Sequence, residues 1–340
     1  DVDLGHRQAG IPGQLLDELK RSMPEKVRIA PFIANWYVTF NLTRPEWQDV
    51  RVRTALGLAI DREVIVNQIL RGGETPAYTF VQPNVPNYPH EAHLFYRDMP
   101  MAERQKKARE LLAEAGFGPD NPLKFEFLHM QSTDGKRLAT ALQGMWKQIG
   151  VEVTPTGQET KTVYSALRQQ NFGVALAGWI ADFPDASSFL YLAKTSSDEM
   201  NYGKYSNARF DQLNIDGDNE PDAAKRGALL NQAEQILLDD APFLPIYNAV
   251  SRYLVEPYVK GFEDALTNVH RTRWMSIDQE KKAAGGAGAT PTIQTADASG
   301  QTGAAPAQGG GASNLMWWLI GGGVLLALAG AIIARRRTSA

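Results

Sequence analysis

The chain has 340 residues, 43% of them hydrophobic and 21% charged, an ordinary globular composition with length for one large or two medium domains. Its formal net charge of -3 argues against a polyanion-binding surface. The absence of cysteine excludes disulfides and any Cys-based metal or redox site. Asp1-Val2-Asp3-Leu4-Gly5 has neither an initiator Met nor a signal-like apolar stretch, so the numbering is expected to start inside a longer precursor.

Taken in order, Ile11 to Met23 reads as a helix, followed by strand-like Val27 to Ala30 and Tyr37 to Phe40. A helix starts near Asp49, with Val52, Ala55, Leu56, Ala59 and Ile60 on one face. The next covers Ala102 to Ala115, where Ala108, Leu111, Leu112 and Ala115 recur at helical spacing and Gly116 supplies the stop. A strand at Leu123 to Leu128 leads to a helix with Leu138, Leu142, Met145 and Ile149 on one face, then to a strand from Val151 to Thr154 that Pro155 is expected to end. A helix near Thr162 to Gln169 precedes Phe172 to Ile180, a candidate central strand. A late helix, Asp222 to Leu238, leads into strand-like Phe243 to Tyr247. The alternation implies an α/β architecture with open sheets, in which ligands bind at strand ends or in clefts between lobes.

After Lys282 the composition changes to Ala, Gly, Pro, Thr, Ser and Gln, so residues 283 to 313 are expected to form a disordered linker. Residues 314 to 334 read as a transmembrane helix: the stretch from Leu315 to Ala334 is uncharged and matches the ~20 residues needed to cross a bilayer. Arg335, Arg336 and Arg337 follow at once, which assigns residues 335 to 340 to the cytoplasm and residues 1 to 282 to the extracytoplasmic side, at a cell surface or in a periplasm.

The phrase Asp49-Val50-Arg51-Val52-Arg53-Thr54-Ala55-Leu56, continuing through Ala59-Ile60-Asp61-Arg62, resembles the oligopeptide/dipeptide-binding receptors of ABC importers, solute-binding protein family 5. Lys107 to Phe117, Gly178-Trp179-Ile180-Ala181-Asp182-Phe183, and Asn201-Tyr202 with Tyr205 before Phe210-Asp211-Gln212-Leu213 follow in the same order and spacing. The resemblance covers about residues 1 to 275 and implies a type II periplasmic-binding-protein-like lobe with an open mixed sheet. By the family pattern, residues 1 to 33 and 249 to 282 belong to a larger lobe that is truncated here, and residues 34 to 248 make the C-terminal ligand-binding lobe. A peptide ligand, ABC permease subunits with a separate ATPase, and hinge closure around the ligand are further implications.

The resemblance assigns Asp182 to the ligand's α-ammonium, a task that suits a carboxylate ending an apolar strand; a cap for the helix near Pro184 to Tyr191 is the alternative. Gly178 would let a ligand backbone come close and Trp179 would wall the pocket, with core packing as the other explanation of Trp179. Tyr37 and Tyr247 lie at the family's cleft-facing strand positions, although a strand tyrosine also serves simple packing. Where similar receptors carry an arginine for the carboxylate of a short peptide, this chain has Leu176, and Arg168 is offset by one position from another such arginine. Receptors of this family also take nickel complexes, haem and oligosaccharides, and a membrane-tethered ligand sensor is a further alternative. His90 and His93 are a weak metal pair, and no cofactor is expected. Gly-x-Ser-x-Gly, phosphate-loop and His-Glu-x-x-His motifs are absent, which leaves Asp182 with Asp185 as the one imaginable catalytic pair and a non-enzymatic chain as the expectation.

Overall fold

In a computed structural model the described residues, 11 to 285, fold around a six-stranded mixed sheet of order β2-β6-β1-β5-β3-β4. Its strands are β1 (Val27–Phe40), β2 (Thr75–Pro76), β3 (Lys124–Met130), β4 (Glu152–Gln158), β5 (Val174–Ile180) and β6 (Phe243–Leu254), and a separate pair joins β7 (Val259–Lys260) to β8 (Ser276–Ile277). The helices in chain order are α1 (Leu16–Ser22), α2 (Val50–Leu58), α3 (Arg62–Val64), α4 (Met101–Glu114), α5 (Thr133–Lys147), α6 (Thr160–Arg168), α7 (Ser187–Leu190), α8 (Ala208–Asn219), α9 (Ala223–Asp240) and α10 (Gln279–Gly285). β3 runs parallel to β4 and β5, while β1 is antiparallel to both β5 and β6. The α/β expectation holds, and the apolar run at Phe172 to Ile180 is an interior strand.

Two local expectations fail for identifiable reasons. Pro155 does not end its strand: β4 continues to Gln158, because it is an edge strand and tolerates a residue with no N–H to donate. The two strand-like stretches before residue 40 are one continuous strand, β1, passing through Pro31, and its pairing with β6 shifts register between Pro31 and Asn35 and again between Trp36 and Tyr37. The first three residues of the expected linker, 283 to 285, are instead the end of α10; its remainder, the expected transmembrane helix and the cytoplasmic tail lie outside the described residues. Among the described residues no helix is long and apolar enough to cross a membrane.

The helix faces follow the sequence periodicity. Leu138, Leu142, Met145 and Ile149 are all buried, and Asp49 and Asp222 cap α2 and α9 by accepting from the first-turn amides. One stripe of α9 departs from simple amphipathicity. Asn231 accepts from the amides of Glu91 and Ala92 at 3.1 and 3.0 Å, and Gln235 accepts from the amide of His93 at 3.1 Å. Glu234, fully buried, accepts from the amides of Phe80 and Val81 at 2.6 and 2.8 Å and from the Tyr88 hydroxyl. These residues sit at helical neighbours i, i+3 and i+4, so one face of α9 satisfies the main chain of an irregular connection that would otherwise leave buried donors unpaired.

Burial pushes the Glu234 carboxyl up to about 7, against the pull of its Tyr88, Val81 and Phe80 hydrogen bonds. An unfolded glutamate releases its proton near 4.5, so between these limits the folded chain binds a proton that the unfolded chain has lost. The contribution of Glu234 to stability is therefore fullest below pH about 4.5 and falls by a few kcal/mol, at about 1.4 kcal/mol per pH unit, as the pH rises to about 7. Urea unfolding across this range should show that slope, and Glu234→Gln, which keeps an acceptor for both amides, should flatten it; an unchanged slope in the variant would assign the pH dependence elsewhere.

Candidate functional site

The site is built on one face of the sheet where β1, β5 and β6 lie side by side. Trp36 of β1 is the register partner of Tyr247 of β6, and their rings stack at 5.4 Å and 5°. On its other side Trp36 is the register partner of Gly178 of β5, and a Cβ at Gly178 would lie 2.8 Å from the indole. Gly178 is thus required by the packing of Trp36, and the space above it is already filled. Tyr164 of α6 donates to the Gly178 carbonyl at 3.0 Å and fixes the same stretch of β5 from the other end.

These aromatics wall a groove of about 380 Å³ whose apolar lining includes Leu176, Met130 and Leu138. Its charged lining is Asp134, Glu74 and Arg252. Arg252 Nη1 donates to Glu74 at 2.6 Å, with side-chain exposures of 17% and 8%, and Glu74 also accepts from the Gly72 amide at 2.8 Å. Burial raises the Tyr247 phenol well above its ordinary pKa, with Glu74 and Asp134 adding to the shift.

Tyr247 is therefore in the groove, but Tyr37 is not. It is 1% exposed and packs against Phe80 and Phe243 on the opposite face, because adjacent strand residues point to opposite sides. Trp36 occupies the position expected of Tyr37. Trp179 also falls on the face away from Gly178 and donates its indole N–H to the Ser188 carbonyl at 2.8 Å, which pins it as a half-buried brace. Gly178 serves Trp36 rather than an approaching ligand.

Asp182 is exposed, two residues beyond β5, and its amide donates to Ser188 Oγ at 3.1 Å. The capping alternative for Asp182 falls to Asp185, which accepts from the Ser187 amide and hydroxyl at 2.9 and 2.7 Å and from Arg226 through two bonds of 2.7 and 2.8 Å. Burial raises the Asp185 carboxyl, but the Arg226 and Ser187 hydrogen bonds outweigh it and hold the group below the usual carboxylate range. Among the described residues the Asp182 carboxylate has no ion-pair partner. Asp185, already committed to Arg226, makes no second member of a catalytic pair. His90 and His93 each bond a main-chain carbonyl, and no cluster of metal-ligating side chains occurs among the described residues. Arg168 is an exposed residue in the last turn of α6.

Residues 7–201 match the family model for bacterial extracellular solute-binding proteins, family 5, middle region. The chain belongs to solute-binding protein family 5. It is 37% identical over 276 residues to the periplasmic oligopeptide-binding protein OppA of Salmonella typhimurium, covering 79% of this chain and 50% of that protein. It is 39% identical over 254 residues to the probable deoxycholate-binding periplasmic protein YgiS of Escherichia coli, covering 74% and 47%. Among solved structures, Haemophilus influenzae OppA in complex with RPPGFSPFR is similar at a TM-score of 0.73 and 31% identity, covering 82% of this chain and 54% of that chain. The chain thus spans about half the length of the curated relatives it matches.

Because Gly178 and Trp36 oppose each other so closely, Gly178→Ala should lower stability by about 1–3 kcal/mol through overpacking and disturb the stacked pair. A double-mutant cycle with Trp36→Ala should show strong non-additivity in denaturant titrations. Additive losses would separate the glycine from the indole.

Proposed function

We propose that this chain supplies the ligand-binding lobe of an extracytoplasmic receptor that captures peptides and presents them to an ABC importer. The observation that carries this is the exposed Asp182 carboxylate, free of capping and ion-pair duties, just past the strand that lines the Trp36–Tyr247 groove. In this reading Asp182 receives the peptide's α-ammonium, Tyr247 and Trp36 hold a side chain of the ligand, and Trp179, Gly178 and Tyr37 fix the strands that carry them. The receptor does no chemistry on its ligand; energy comes from a separate ATPase. Oligopeptide binding in the names of OppA relatives, and the nonapeptide in the H. influenzae complex, support the ligand class.

Residues 34 to 248 are proposed as this lobe, with 1 to 33 and 249 to 282 belonging to a second lobe. β1 and β6 both run through these limits, and the pairing shift between Pro31 and Asn35 falls at the crossing, which suits a hinge whose closed form is favoured by ligand bridging. Residues 283 to 313 would tether the receptor to a membrane helix at 314 to 334 and raise its concentration near the permease.

A second reading comes from the largely apolar groove and the YgiS likeness: an amphiphile such as deoxycholate. Calorimetry of the complete gene product against di- to octapeptides and deoxycholate separates the two. Saturable peptide binding that weakens by about 2 kcal/mol or more in Asp182→Ala, the loss expected for a buried charge partner, supports peptide capture. Deoxycholate binding without peptide binding would replace it.

A further inference from the structure

We propose that Arg226 is a positioning residue for ligand binding: through Asp185 and Ser188 it fixes the turn that presents the Asp182 carboxylate to a peptide's α-ammonium. This rests on the peptide-receptor reading and adds the device that aims its charged group. Asp182 is exposed and its side chain makes no ion pair among the described residues, so where the carboxylate points follows from the main chain that carries it. Upstream, that main chain ends its pairing with β1 at Ala181, whose amide donates to the Ile33 carbonyl at 2.9 Å. Downstream, α7 begins at Ser187 and is anchored by the fully buried Phe189 and Leu190. Residues 182 to 186 bridge these two anchors as a turn.

Ser188 grips the turn from below. It is 4% exposed, its Oγ accepts from the Asp182 amide at 3.1 Å, and its carbonyl accepts from the Trp179 indole N–H at 2.8 Å. Asp185 closes the turn: its amide donates to the Phe183 carbonyl at 2.9 Å, its carbonyl accepts from the Ser188 amide at 3.2 Å, and its carboxylate accepts from the amide and hydroxyl of Ser187. All of these bonds stay within residues 179 to 188. The two bonds from Arg226 to Asp185, 2.7 and 2.8 Å, tie that network to α9 through a planar fork that sets direction as well as distance. Buried Leu230, Ala233 and Leu237 hold α9 in the core, so it serves as a fixed support. The Arg226 and Asp185 side chains are 27% and 30% exposed, and a pair so placed adds little to global stability. Its effect falls on the geometry of the turn: a carboxylate carried by an ordered turn meets an ammonium without the cost of ordering it first.

The test uses the complete gene product and pairs of identical peptides with a free or an N-acetylated amino terminus. In the wild type the free amine should bind about 30-fold or more tighter, and Asp182→Ala should remove that difference. Arg226→Gln should cut the free-amine advantage to about 5-fold or less while leaving the acetylated peptide within about 2-fold, and Arg226→Lys, which keeps a cation for Asp185, should restore part of it. In the Asp182→Ala background, Arg226→Gln should change neither peptide further. The ratio is read within each variant, so a general loss of folded protein cancels from it. An equal loss for both peptides makes Arg226 a support of the whole lobe, and an unaltered free-amine advantage leaves it no part in aiming Asp182; either result overturns this inference and keeps the peptide reading. A wild type indifferent to acetylation, or one that binds deoxycholate and no peptide, overturns the Asp182 reading together with this one.

Discussion

Arg62 is fully buried, and the described structure provides it with carbonyls instead of a carboxylate. Its Nε donates to the carbonyls of Ala77 and Pro245, both at 2.8 Å, Nη1 reaches that of Ile60 at 3.2 Å, and the Tyr78 and Tyr96 rings lie 5.0 and 5.5 Å from the guanidinium. A buried cation costs several kcal/mol unless its donors are met, so this position tolerates little displacement of the groups around it. Pro245 stands two residues before Tyr247 on β6, which makes the groove's stacked pair dependent on a cation that never touches it. Arg53 and Arg104 repeat the device, the first with the carbonyls of Trp47, Ala241 and Asp240, the second with those of Met99 and Arg97.

This explains what the family phrase from Asp49 to Arg62 encodes. Asp49 caps α2, Asp61 accepts from the Val64 amide at 2.9 Å, and Arg53 and Arg62 are interior fasteners. The Asp49–Arg62 phrase therefore builds the frame and leaves the ligand unspecified, as expected where one fold carries many binding functions. The groove wall comes from positions such as Trp36, Leu176 and Tyr247, which lie on different elements and meet only after folding.

The same distinction decides what could be read from the sequence. Helical periodicity located α4 and α5, and an unbroken apolar run located β5, because these signals are local. The groove depends on strand parity and pairing. Tyr37 and Trp36 differ by one residue, and a register irregularity between them leaves no sequence pattern to say which faces the groove. Gly178 reads in the sequence as an opening for a ligand backbone; its constraint comes from Trp36, far earlier in the chain and brought to it only by the pairing of β1 with β5. Asp182 was accessible through its motif, but its freedom could be judged only once Asp185 was found to hold both Ser187 and Arg226.

The fold thus surrounds the groove with residues that packing holds rigidly and residues that it holds loosely. Trp36, Gly178 and Tyr247 interlock across three strands, so altering any one of them reshapes the wall and costs stability. Asp182 stands exposed beyond β5 with no ion-pair partner among the described residues, so its charge can change without unpairing a buried group. The Glu74–Arg252 pair lies between these extremes: removing either member would leave an enclosed charge uncompensated, which makes it a poor place to tune specificity. The interlocked aromatics give the groove a wall whose shape is fixed by packing, a surface that many side chains could share.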